Sequence, residues 1–394
     1  VRRPVRILHV GLGGFARAHQ AWYTHHAPDA EQWGIAAFSH RGTDLAARLA
    51  AREGRYTLIT RAPDGDRREV VESLVAAYPG SDHDVWLDYW RRPDLAVVTL
   101  TITEAGYVPG TSSDVPGTPS DAETLRADPR APVTTAAARL LAGLVARREA
   151  GHGPVAIVPC DNLPGNGELI ERVLAELAEA TGHSAAVRHA TYVSTMVDRI
   201  TPYSTEDDPT TVVTEPYSEW VLAGDFPAGR PAWEEAGARF MADVTPFEDR
   251  KLRLLNGGHS LLAYGGPLRG HETVAEAVAD PVCRAWLAQW WEEASRGLPD
   301  IELAAYRDAL LERFANPRIR HTLAKIAENG HQKIATRVLP VLRAERKQGR
   351  LPEGAIRVLA AWLLRTPGAS LTDLGLADDV ELASAVARQA RELA

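Results

Sequence analysis

Apolar and polar positions fall into two regimes along the chain. In the first, short apolar runs recur at residues 5–10, 33–38, 56–60, 96–102, 155–158 and 190–194. Stretches of helical spacing lie between some of them, as at 16–25 and 43–52. The run 96–102 is apolar and β-branched almost throughout, which predicts a strand buried on both faces of a parallel sheet. Ala62-Pro63-Asp64-Gly65 carries turn chemistry. Strands that alternate with helices predict an α/β architecture. In the second regime, from about residue 246, strand signals fade. Helical spacing runs through 252–264, 274–279, 282–294, 301–314, 318–328, 333–346, 355–365 and 380–393. The expected organisation is an α/β domain with a mostly parallel sheet over residues 1–243 and a mostly α-helical domain over 244–394. Residues 109–132, rich in Pro, Gly, Ser, Thr and Asp, read as a long loop. No internal repeat is visible.

Composition narrows the function classes. Of 394 residues, 45% are apolar and 24% charged, which is ample for a core and unlike a disordered chain. A formal charge of −8 argues against nucleic acid as the main partner. Cys160 and Cys283 are the only cysteines, so no disulfide framework is expected and the cytoplasm is the default compartment. No run approaches the ~20 apolar residues of a membrane span. The basic start, Val1 to Arg6, imitates a signal peptide, but the apolar stretch behind it breaks into glycines and reads as a first strand.

Gly11-x-Gly13-x-x-Ala16 follows that strand and precedes a helical stretch. This is the dinucleotide-binding fingerprint: Gly11 permits a tight turn, Gly13 admits a pyrophosphate, and Ala16 lets the helix pack on the strand. A structural turn without cofactor is the plain alternative. The acid expected about 20 residues further on, for the ribose hydroxyls, is missing. Ser39-His40-Arg41-Gly42 stands in its place, and Asp44 falls inside the next helix start. Arg41 can pair with a 2′-phosphate, which favours NADP; the other reading is a solvated loop arginine.

Cys160-Asp161-Asn162-Leu163-Pro164-Gly165-Asn166-Gly167 follows a buried strand, the position at which open α/β sheets bind ligands. Asn162 is placed to present an amide there, although Asn, Pro and Gly also make ordinary turns. Asp198 and Arg199 read as an ion pair at the end of the next strand. In the segment 248–260, an α-helix with Lys251 set at zero puts Glu248 at about 60°, His259 at about 80° and Asn256 at about 140°. The four share one broad side, provided Gly257-Gly258 does not break the helix. A partly desolvated lysine can act as general base. An Asn amide can hold an alkoxide and a His can orient a substrate oxygen. A capped surface helix is the alternative. Lys325, His331 and Lys333 form a cationic group that fits an anionic or polyhydroxylated substrate, or simply a solvated face.

Taken together, these segments resemble the polyol-specific long-chain dehydrogenase/reductases, a family that includes mannitol 2-dehydrogenase and the fructuronate and tagaturonate reductases. Residues 11–20, Gly-Leu-Gly-Gly-Phe-Ala-Arg-Ala-His-Gln, are similar to its cofactor signature. Residues 99–107 resemble its T-[IV]-T-E-x-G-Y strand end, and 160–167 and 197–202 two further signatures. Lys251-x4-Asn256-x2-His259 matches its K-x4-N-x2-H pattern. The order of these motifs across most of the chain is what makes the resemblance specific.

The resemblance implies a Rossmann-type N-terminal domain, a mostly helical C-terminal domain and a site between them. It implies cofactor contacts at Gly11, Gly13, Gly14, Phe15, Arg17 and Thr101, with NAD or NADP as cofactor. It implies metal-independent hydride transfer with Lys251 as general acid/base, Asn162 and Asn256 as oxyanion hole, and His259 positioning the reacting oxygen. Glu248 matches a glutamate that exchanges protons with solvent; Asp198 and Lys333 match substrate contacts. Lys325 stands where the family's mannitol dehydrogenases have an arginine. The expected reaction interconverts a sugar alcohol and a ketose, mannitol/fructose first. The alternative is a fructuronate or tagaturonate reductase, and further off a non-catalytic dinucleotide sensor. The expected partner is a small-molecule substrate, and the assembly a monomer or small homo-oligomer.

Overall fold

The computed structural model describes residues 3–39, 42–103, 106–108, 119–204 and 206–394. The chain divides into two compact units, Val1–Arg61 with Gly65–Thr245, and Ala62–Asp64 with Pro246–Ala394.

Six strands form the main sheet of the first unit: β1 (Val5–Val10), β2 (Gly34–Phe38), β3 (Leu74–Tyr78), β4 (Val97–Leu100), β5 (Val155–Pro159) and β6 (Ala190–Tyr192). Their order is β3-β2-β1-β4-β5-β6 and the pairings are parallel. This is the Rossmann order, in which the winding reverses between β1 and β4 and leaves a crevice at their carboxyl ends. Alternation along each strand feeds two cores. Leu8, Val10, Val98 and Leu100 pack on one side with Trp86, Trp90 and Leu140. Ile7, Ile35, Val97 and Val158 pack on the other with Tyr23, Trp220 and Trp233. Two three-stranded sheets flank the main one; Tyr56–Ala62 lies in the first, and Glu219–Ala223 pairs antiparallel with Ser194–Asp198 in the second.

Several local expectations change. The helix expected at 16–25 is two pieces, Gly14–Ala18 and Gln20–His26, broken at His19 with φ −121° and ψ −84°. His19 is fully buried, and its Nε2 donates to the Glu219 carbonyl at 3.1 Å while Nδ1 accepts from the Gln20 amide at 3.0 Å. The run at 190–194 is divided at Val193, where the chain leaves the main sheet for the small one. The strand Gly65–Val71 has no apolar signature because its side chains are mostly exposed. Within the expected loop, residues 109–118 lie outside the described residues. A helix, Asp121–Ala127, follows them, started by a capping box in which Ser120 and Glu123 bond each other's backbone N–H.

The second unit is mostly helical. Gly257–Leu268 is buried along most of its length and is packed by Pro281–Ser295, Leu323–Ala327 and Glu353–Arg365. Among the described residues no helix is long and apolar enough to cross a membrane.

Candidate active site

In the first unit the glycine turn leaves β1 beside the end of β4. Gly11 has φ +113°, and a Cβ there would stand 2.6 Å from the Thr101 hydroxyl and 2.8 Å from its carbonyl. Only glycine fits this approach. A Cβ on Gly13 would meet nothing within 4 Å. That open cradle is what a pyrophosphate needs. A cavity of about 630 Å³ opens there, lined by Gly13, Gly14, Phe15, Asp44, Arg48 and Thr201 among others. The turn therefore fits a dinucleotide. Arg17 is only 6% exposed yet also lines this cavity; its guanidinium donates to the Gly13 carbonyl at 3.3 Å and the Thr210 carbonyl at 2.5 Å, bracing the turn. Arg41 lies outside the described residues, as do His40, Glu104 and Ala105. Asp44 and Arg48, on the helix Asp44–Ala50, do line the cavity. Sequence reading passed over Arg48, because an exposed arginine on a polar helix face carries no signal of its own.

Thr101 is held by a chain of hydrogen bonds with a fixed direction. The Thr99 hydroxyl donates to the Leu8 carbonyl at 3.3 Å and so accepts from His9 Nδ1 at 2.7 Å. That leaves His9 Nε2 to accept the Thr101 hydroxyl proton at 2.9 Å. Burial lowers the His9 pKa to about 3, which keeps the imidazole neutral and the chain in one polarity.

The loop after β5 is tied down by its own residues. Asn166 is fully buried; its amide donates to the Thr195 carbonyl at 3.0 Å and its oxygen accepts from the Thr195 N–H at 2.9 Å. Asp161 accepts from the Leu163 N–H at 3.0 Å and from the Tyr107 hydroxyl. Asn162 stands exposed between these anchors. Cys160 is buried, and burial pushes its thiol well up, which disfavours the reactive thiolate. Asp198 is buried at the end of its strand. Arg199 donates to the carbonyls of Ala18 and Glu215 and lies over the Trp22 ring.

In the second unit, Glu248 lies on the helix Thr245–Arg250, and Lys251–Asn256 is a π-helix that runs into Gly257–Leu268 without a break. The π turn alters the angular arithmetic. A ring closed one residue later turns by roughly 80° per residue in place of roughly 100°. Asn256 then lies within about 40° of Lys251, and His259, three α-helical residues on, returns to within about 20° on the other side. The α-helical expectation for Asn256, at about 140°, is thereby corrected. At these angles the three positions fall within about 60° of one another.

Two tryptophans hold this turn. The indole N–H of Trp290 donates to the Arg253 carbonyl and that of Trp291 to the Leu254 carbonyl, each at 2.9 Å. Gly257 makes the approach possible, since a Cβ there would stand 2.4 Å from the Trp290 ring. Sequence reading took Gly257-Gly258 as a possible break; they are instead a seat for indoles.

His259 is 6% exposed, stacked on Phe314 at 4.6 Å and edge-on to His321 at 4.9 Å. Burial lowers its pKa well below the ordinary range, helped by His321, Arg313, Arg337 and Lys333. Burial likewise lowers His321 to about 4. Lys333 donates to the Ile326 carbonyl at 2.8 Å. Lys325 is exposed and paired with Glu328 at 2.7 Å. His331 is exposed too, with Nε2 3.3 Å from the Asp373 carbonyl. The structure adds Arg337 and His321, which no motif announced. Arg337 lies four residues beyond Lys333, a helical spacing that was available to be read.

A sequence model described as the mannitol dehydrogenase Rossmann domain matches residues 5–235, and one described as the mannitol dehydrogenase C-terminal domain matches residues 243–371. The chain belongs to the mannitol dehydrogenase family. It is 35% identical to D-mannonate oxidoreductase of Escherichia coli, over 93% of this chain and 81% of that protein. It is 34% identical to mannitol 2-dehydrogenase of Cereibacter sphaeroides, over 90% of this chain and 80% of that one. The solved ternary complex of Pseudomonas fluorescens mannitol 2-dehydrogenase with NAD and D-mannitol is similar across all of this chain and 92% of that one, with a TM-score of 0.79 and 30% identity. Like these relatives, this member of the mannitol dehydrogenase family is an oxidoreductase.

Among the described residues, two clusters bring metal-type ligand atoms within 4.8 Å of one another, which sequence spacing did not show: His25, His26 and Glu69, and His271, Asp280 and Cys283. In the first, Glu69 already accepts from Trp22 and His26, each at 2.9 Å. In the second, Arg269 and His271 share one Asp280 oxygen, so a guanidinium supplies the positive charge there.

Proposed function

We propose that this protein interconverts a secondary alcohol of a polyhydroxylated substrate and the corresponding ketone, with Lys251 as general acid/base. The observation that supports the reading is the π turn Lys251–Asn256, held by two indole hydrogen bonds, whose ideal angles bring Lys251, Asn256 and His259 toward one side of the helix. Catalytic groups on packed elements keep the geometry that proton transfer needs. NAD(H) or NADP(H), when bound at the Gly11–Gly13 turn, supplies the hydride acceptor or donor. In oxidation, Lys251 Nζ takes the hydroxyl proton as the carbon loses hydride. The Asn256 and Asn162 amides donate to the oxygen as it gains negative charge. His259 orients the same oxygen, and its burial keeps it neutral. Glu248, one turn before Lys251, passes the proton on toward solvent. Asp198, Lys325 and Lys333 are assigned to the substrate hydroxyls. In reduction each step runs backward. The experiment that tests the reading is turnover of hexitols, ketoses, aldonates and keto-uronates by the wild type and by Lys251→Ala.

For the cofactor, the relative solved with NAD supports NAD(H) here, whereas Arg41 in place of the usual ribose-binding acid supports NADP(H). Arg41→Ala is expected to raise Kd for NADPH by about 10-fold and to leave NADH within about two-fold. Fluorescence titration measures both, and an equal effect on the two would make Arg41 a bystander.

A further inference from the structure

Along one face of the sheet, β1 reads Ile7, His9, Gly11 and β4 reads Val97, Thr99, Thr101. Ile7 and Val97 belong to the core, and the same face further on calls for apolar side chains too. An imidazole and a hydroxyl stand there instead, His9 at 3% and Thr99 at 1% exposure, opposite each other in register. Buried polar groups are costly unless they are bonded. Both His9 nitrogens are bonded, Nδ1 to the Thr99 hydroxyl and Nε2 to the Thr101 hydroxyl. The chain of bonds ends at the crevice. Thr101 is half-buried, its N–H donates to the Val10 carbonyl at 2.9 Å, and its hydroxyl lies against Gly11 at the head of the glycine turn.

A threonine hydroxyl has one proton and two lone pairs. With its proton given to His9 Nε2, the Thr101 oxygen can only accept. Pyrophosphate oxygens also only accept, so they are no partner for it, whereas a sugar hydroxyl is. In a Rossmann sheet the β1–β3 half takes the adenosine end of the cofactor and the pyrophosphate lies at the glycine turn, so β4 serves the nicotinamide end. We propose that His9 is a positioning residue for the cofactor, holding the Thr101 oxygen as an acceptor for a hydroxyl of the nicotinamide ribose. The inference rests on the reading that a dinucleotide binds at the Gly11–Gly13 turn, and it adds the group that fixes the reactive half. A protonated imidazole would donate from both nitrogens and turn the Thr101 hydroxyl around; burial, which lowers the His9 pKa to about 3, prevents that.

The test is fluorescence titration of the full chain with NADH or NADPH, whichever the wild type binds more tightly, and displacement of it by ADP-ribose and by ADP. ADP-ribose carries the second ribose and ADP lacks it. Thr101→Val and His9→Leu are each expected to weaken the dinucleotide and ADP-ribose by about 10-fold and to leave ADP within about two-fold. The double variant should lose little more than either single one, because His9 acts through Thr101. His9→Gln, whose side-chain oxygen can take the Thr101 proton, should recover most of the loss. In the wild type, 15N NMR of the imidazoles should show His9, assigned by its absence from the His9→Gln spectrum, protonated at Nδ1 and bare at Nε2. Equal weakening of ADP and ADP-ribose overturns the inference, by showing that the variants disturb the turn as a whole. Unchanged binding of ADP-ribose, additive losses in the double variant, or a His9 ring protonated at Nε2 overturns it too and leaves the cofactor reading intact. A wild type that binds neither dinucleotide overturns both. Should His9→Leu fail to fold, as judged by circular dichroism, Thr101→Val and the wild-type tautomer decide.

Discussion

Lys251→Ala is expected to lower kcat by about 10³-fold while nicotinamide binding stays near the wild-type value. The alcohol proton has to leave as hydride departs, and an alanine offers nothing to take it. The neighbouring groups do not substitute. His259 is buried, neutral and held well below its ordinary pKa, so it is a poor proton acceptor. Asn256 carries no titratable group. Because the cofactor turn lies in the other unit, the loss should fall on kcat and not on the Kd of NADH. Stopped-flow transients, which isolate the hydride step, give the cleanest reading. Near-normal turnover at neutral pH would remove Lys251 from the general-base role.

Gly257→Ala is expected to destabilise the protein by about 3 kcal/mol and to lower kcat as well. The added methyl would stand 2.4 Å from Trp290 Cζ2 and 2.9 Å from Trp290 Nε1, so the indole has to move. Overpacking of this kind costs roughly 1–3 kcal/mol, and the lost bond from the indole N–H to the Arg253 carbonyl adds roughly 1 kcal/mol. Trp290→Phe removes the donor without the clash and should cost only that smaller amount. Urea denaturation measures both. The lowered kcat follows because the displaced indole no longer fixes the turn on which Lys251 and Asn256 depend. A Gly257→Ala protein with unchanged stability and rate would show that the indole contact does not shape the site.

The same contact explains why the site was only partly legible beforehand. The K-x4-N-x2-H pattern named Lys251, Asn256 and His259, but α-helical angles spread them over a wide arc. The π turn that gathers them depends on Trp290 and Trp291, which lie more than thirty positions away and whose indoles look like ordinary core. Local pattern cannot announce a hydrogen bond of that span. Five of the six strands of the main sheet were readable because burial on both faces demands unbroken apolar runs, as in Val97–Leu100, whereas Leu74–Tyr78, short and alanine-rich, went unread. The strand Gly65–Val71 was not, because its exposed side chains leave no such record. The break at His19 was hidden for the same reason as the π turn: its cause is a carbonyl at Glu219. Lys325 is assigned by its spacing from Lys333, and spacing does not show its pair with Glu328, nor Arg337, which no motif marks. Spacing fixes which residues are near in sequence; the partners that orient them come from other helices.

The most direct test of the account is a nicotinamide absorbance assay of the purified protein. It would pair NAD(H) and NADP(H) with hexitols, pentitols, ketohexoses, aldonates and keto-uronates, with and without EDTA. The account predicts turnover of at least one alcohol–ketone pair, unchanged by the chelator and abolished in Lys251→Ala. Cofactor binding by fluorescence without turnover of any pair, or turnover that EDTA removes, would contradict it.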